Sequence, residues 1–178
     1  NALSSRLDGK DTVLEFEGVC RLLVADAMLV PEGNALSVAR TGLLRPLANA
    51  RLYFGDTARL HAFHGVSAQV VTSRQYRASG LYDYQAPGMD LQEVYFAGIR
   101  PMEGGHSQAE AMVADSSVLF LNEAFQFIGK IKVDARQTYP FFSGSTRMVY
   151  ACDFIGDRME QDGYGSYEDE YESGSGEG

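Results

Sequence analysis

Residues 125–133 read FQFIGKIKV. Phe125, Phe127, Ile131 and Val133 fall on one side of a period-two alternation, with Gln126, Lys130 and Lys132 on the other. That is the pattern of a β-strand with one buried and one wet face. A second regular alternation runs through Arg147 to Ile155, where Met148, Tyr150, Cys152 and Phe154 oppose Arg147, Val149, Ala151 and Asp153. The segment between them is short enough for an antiparallel connection, so the two are expected to be neighbours. Tyr139-Pro140 is expected to break the strand pattern, and Ser143-Gly144-Ser145 to turn the chain.

Upstream, the same criteria place strands over residues 11–18 and 66–72, with an apolar run over 19–30 in which Cys20, Leu22 and Val24 share a side. The turn Pro31-Glu32-Gly33-Asn34 closes that first unit. Residues 35–47, broken by Gly42 and Pro46, are weakly strand-like. Residues 50–63 (ARLYFGDTARLHAF) read as a hairpin with a three-residue loop at Gly55-Asp56-Thr57, in preference to a helix capped at Asp56 or Thr57. Residues 90–99 (DLQEVYFAGI) form a strand with Val94 and Phe96 on one face and Glu93 and Tyr95 on the other. Ser117 to Leu121 pairs with the strand from Phe125 through Asn122-Glu123-Ala124. The helix expectation falls on Ser107 to Ala114, where Ser107 stands three residues before Glu110 as in a capping box.

Strands separated by turns, without long helical crossovers, predict a mainly β protein. The expected architecture is a single antiparallel β-sandwich or barrel-like domain with one short helix and extended terminal arms. Residues 1–10 read as a polar N-terminal arm, 11–156 as the β domain and 157–178 as an acidic Gly/Tyr-rich C-terminal tail.

The net charge of −9 is unevenly spread. Residues 157–178 hold eight acidic residues against Arg158, a local −7, which leaves −2 for residues 1–156. A near-neutral body with an acidic tail lacks the basic surface of a nucleic-acid binder, so no sequence-specific nucleic-acid binding is expected. No stretch reaches the roughly 18 apolar residues of a membrane span, and residues 1–12 lack the pattern of a signal peptide. Cys20 and Cys152 fit no zinc spacing. The preferred reading is that each is a small buried hydrophobe, and the sharper alternative is a disulfide joining them.

Catalytic and cofactor motifs are missing. His61 and His64 would face opposite ways on a strand, and no third ligand is identifiable beside them. His106 reads as a surface-loop histidine. The Gly-rich pieces lack the Lys and following helix of a phosphate loop. The expectation is therefore no enzyme, no cofactor and no metal.

By elimination, the sequence reads as a structural subunit of a large homomeric assembly: a tail-tube, head-tail or capsid-decorating protein of a virus or tailed phage. Its partners would be copies of itself and other particle proteins, without membrane. It would be made in the host cytoplasm and located in the virion, or otherwise be soluble and cytoplasmic. Arg74, Arg77, Tyr164, Tyr167 and Tyr171 are the candidate intersubunit contacts. The alternative is a β-sandwich ligand- or carbohydrate-binding module or small enzyme that uses a tyrosine-rich loop over residues 76–84.

Overall fold

A computed structural model describes residues 3–8, 11–56 and 60–149. The strand expected over Arg147 to Ile155 lies largely outside that range, as do Cys152, Tyr164, Tyr167, Tyr171 and the whole acidic tail. The described residues form thirteen strands and one three-residue 3-10 turn, Glu32–Asn34. All strand pairings are antiparallel.

A small sheet holds β1 (Leu3–Asp8), β2 (Asp11–Glu17) and β5 (Ala35–Ala39) in the order β1-β2-β5. The segment expected as an N-terminal arm thus contains a paired strand. The large sheet contains β3 (Leu22–Val24), β4 (Ala27–Val30), β6 (Leu47–Phe54), β7 (His61–Thr72), β8 (Gln75–Tyr84) and β9 (Gln92–Pro101). It continues with β10 (Ser107–Val113), β11 (Leu119–Asn122), β12 (Phe125–Asp134) and β13 (Phe141–Met148). From β3 the order is β3-β4-β6-β7-β8-β9-β10-β12, with β13 along the far side of β12. β12 is long enough to take two partners end to end on its near side, β11 at residues 125–127 and β10 at residues 129–134.

The large sheet bends back on itself, as side-chain contacts between distant strands require. Asp26, in the turn between β3 and β4, bonds Ser107 at the start of β10, although four strands intervene in the sheet. The Tyr84 ring of β8 meets Phe142 of β13 at 5.4 Å. This folding places two layers face to face in a sandwich-like arrangement, with Phe54, Phe63 and Phe96 between them at contact distance. Each such ring stabilises the fold by roughly 1.5–3 kcal/mol through burial. Leu36 of β5 joins the same core, and Phe16 of β2 packs against it.

Several local readings change in the structure. Residues 107–113 are a strand, not a helix. Ser107, Ala109, Ala111 and Val113 are buried while Glu110 and Met112 are exposed, a period of two carried largely by small residues. Pairing on both sides, to β9 and β12, supplies backbone hydrogen bonds that a lone short helix could not match.

The hairpin over residues 50–63 is present, but its first strand ends at Phe54 and its second begins at His61, a wider separation than the three-residue loop expected. The run over residues 19–30 is two strands turning at Ala25-Asp26. Cys20 precedes them and is exposed, its thiol 3.7 Å from the Gly18 carbonyl, so it is not a buried hydrophobe. It makes no disulfide among the described residues. Residues 76–84 are strand β8 rather than a loop, with Tyr76 inside the core.

Ser143-Gly144-Ser145 also lies inside a strand, β13. Gly144 stands opposite Gly129 of β12, where the two backbones approach closely. A Cβ on Gly129, whose φ is +150°, would sit 2.5 Å from the Ser143 carbonyl oxygen. Glycine is therefore demanded by the crossing of two strands, and not by a turn. Arg147 and Met148 do pair with Gln126 and Phe125, as neighbours of the strand at 125–133.

Candidate functional site

β7 carries both histidines of HAFH and sends them to opposite faces, as strand geometry requires. His61 points inward and is buried. Its Nε2 lies 2.7 Å from the Gln137 carbonyl, which only accepts, so Nε2 carries the proton. In the neutral ring Nδ1 then accepts from the Tyr82 hydroxyl at 3.3 Å. Burial and the neighbouring Asp83 charge both raise the Tyr82 phenol above its ordinary pKa, so it remains a donor. His61 is thereby committed to joining β7 to the segment after β12.

His64 points outward. Its Nε2 lies 2.9 Å from Asp83 Oδ1 on β8 and 3.5 Å from Glu93 Oε1 on β9. Asp83 and Glu93 are directly paired across β8 and β9, which brings two like charges face to face. The three side chains are 37%, 48% and 57% exposed, so solvent and solutes reach them. They lie in an open depression of about 490 Å³ that Arg51, Tyr53 and Leu91 also line. His64 was legible as a ligand type; its partners were not, because they stand 19 and 29 residues further along and meet it only through strand pairing.

A second polar cluster runs from the buried Tyr76 and Ser107 to Asp26, which is exposed. Ser107 is fully buried; its backbone N–H donates to Asp26 Oδ2 at 2.8 Å and its hydroxyl donates to Asp26 Oδ1. A serine has one hydroxyl proton, so the Tyr76 hydroxyl must donate to Ser107 Oγ, at 2.6 Å. Burial holds the Tyr76 phenol well above its usual pKa, with Asp26 adding to the rise, and keeps it a donor. The sequence offered Ser107 only as a helix cap.

A third cluster surrounds Asp134, whose side chain is 5% exposed. Arg136 grips it with two parallel bonds of 3.0 and 3.1 Å, Gln108 donates at 3.1 Å, and His106 Nε2 lies 3.8 Å away. The Arg136 guanidinium holds the carboxyl far below the usual carboxylate range, overcoming the opposite push of burial. His106 stands in the loop before β10, as expected, but is partly buried beside this cluster.

Arg74 sits in the turn between β7 and β8, and Arg77 on β8. They line separate open depressions, Arg74 with Ala25 and Pro101, Arg77 with Gly98, Arg100 and Glu110. Neither pairs with a carboxylate among the described residues. Exposed apolar side chains gather near β13, where Tyr139, Phe141 and Met148 are each more than half exposed.

Compared with protein-family models, curated proteins and solved structures, the chain matches none.

Proposed function

We propose that this chain is a structural subunit of a large homomeric assembly, of the kind that builds the tail tube, head-tail junction or outer decoration of a virus or tailed-phage particle. The observation that carries the reading is β13. It is an eight-residue strand that, among the described residues, pairs along one edge only, with β12. Phe141 and Met148 are 57% and 55% exposed, and no residue of the strand is buried. An edge strand with exposed apolar side chains invites pairing with another chain, and monomeric proteins ordinarily blunt such edges. In a homomeric assembly the same edge is a joint between copies. The unpaired Arg74 and Arg77 suit polar contacts around such a joint.

The test is light scattering and negative-stain microscopy on the full chain and on a Phe141→Lys/Met148→Lys variant, with circular dichroism to check folding. Rings, tubes or shells from the natural chain, and a folded but dispersed variant, are expected. A natural chain that stays monomeric at every concentration refutes the assembly reading. The second reading, a ligand-binding module or small enzyme, is favoured by one feature: the accessible His64, Asp83 and Glu93 beside Arg51.

A further inference from the structure

We propose that His64, Asp83 and Glu93 form a binding site for a divalent transition-metal ion of the zinc class. This inference is independent of the assembly reading, since it concerns the outer face of β7, β8 and β9 and not β13.

One ligand atom from each residue lies within 4.8 Å of the others, and the His64 nitrogen is 2.9 and 3.5 Å from the two carboxylate oxygens. A metal bound at about 2.0–2.2 Å separates tetrahedral ligand atoms by about 3.3 Å and right-angled ones by about 2.9 Å. The two nitrogen–oxygen spacings are close to those values and the carboxylate oxygens lie within 4.8 Å of each other, so rotation of the three side chains brings them onto one ion.

Charge gives a separate reason. Asp83 and Glu93 oppose each other in strand register, an arrangement that costs stability unless a cation lies between them. Beyond His64, neither carboxylate has a partner among the described residues. Arg51 is the other charged group lining the depression, with Tyr53 beside it. An imidazole with two carboxylates is a mixed nitrogen and oxygen donor set, which suits zinc-class ions; magnesium and calcium prefer oxygen ligands alone.

Rigidity supports the geometry. β7, β8 and β9 are interior strands of the large sheet, each paired on both sides. Beneath the site, Phe63, Tyr82 and Phe96 pack ring against ring on the inner face. Three protein ligands on such a frame leave the remaining coordination position to water, facing the open depression.

The test begins with full-length chain stripped by a chelator and titrated with Zn²⁺ by calorimetry, and with Co²⁺ by its ligand-field absorption. Binding in a one-to-one ratio and a rise in the thermal midpoint with Zn²⁺ are expected. His64→Ala, Asp83→Asn and Glu93→Gln should each weaken binding roughly tenfold or more, while their circular dichroism stays that of the natural chain because none of the three residues is buried. Saturable binding that survives in the triple variant places the metal elsewhere and overturns the proposal. So does failure of the natural chain to bind more tightly than the triple variant, in which case His64 is only a proton-bearing partner to two acids. Equal competition by Mg²⁺ or Ca²⁺ overturns the assignment of ion class.

Discussion

Two polar clusters occupy opposite faces of neighbouring strands and are built from similar groups, yet their settings give them different work. Inside, buried Tyr76 and Ser107 bond in a chain that ends on Asp26 of the exposed β3–β4 turn, and each donor has an acceptor. Outside, His64, Asp83 and Glu93 sit as close together but in water, with two negative charges in direct register. β8 contributes to both, Tyr76 inward and Asp83 outward. The inner cluster leaves no donor unpaired and joins the β3–β4 turn to β10 across the bend of the sheet. The outer cluster has spare acceptors and an approach route. Burial, rather than residue type, separates a structural network from a site able to bind.

Single substitutions test that contrast, the strongest first. Asp26→Ala removes the acceptor of the buried Ser107 N–H and forces its hydroxyl to re-pair with Tyr76, and is expected to lower unfolding stability by about 2 kcal/mol. Tyr76→Phe removes a donor but leaves Ser107 bonded to Asp26, with an expected loss of about 1 kcal/mol. Urea denaturation reads both. A loss for Asp26→Ala no greater than that for Tyr76→Phe would mean the inner network does not hold the bend.

Asp134→Asn is expected to fall between the inner and outer clusters, and its effect depends on pH. The Asp134 carboxyl is held below its ordinary pKa by Arg136, so the natural chain gains stability from it above the unfolded-state carboxylate range. That gain disappears as pH falls through the depressed folded value. Thermal midpoints of the two proteins should therefore differ by a constant amount near neutrality and converge in strong acid. A difference that persists unchanged in strong acid would assign the loss to packing instead of charge.

The smallest effect is expected outside. His64→Ala or Asp83→Asn, in metal-free protein, should change stability by less than about 0.5 kcal/mol, as for exposed ion pairs generally. A loss comparable with that of Asp26→Ala would erase the distinction between the clusters and make the outer one structural too.

Strands with strong alternation were legible from their residues. β12 and β9 appear where Phe127, Ile131 and Val133, and Val94 and Phe96, said they should, because large apolar side chains mark the buried face. β10 was not legible: Ser107, Ala109 and Ala111 are too small to advertise a buried face, and Ser107 and Glu110 imitate a helix start. The partner of Ser107, a turn aspartate 81 residues earlier, is invisible to any local window. Gly144 misled in the same way, since glycine marks a turn and a close strand crossing equally well.

By itself, then, the sequence determined the β class, the antiparallel hairpins and the opposite facing of His61 and His64, because side-chain period follows directly from strand geometry. Tertiary structure decided the rest. Pairing of β7, β8 and β9 brought His64, Asp83 and Glu93 within reach of one ion, and the bend of the large sheet carried Asp26 to Ser107. Contacts between residues far apart in the chain are set by register and sheet curvature, which arise only when the strands assemble around a common core.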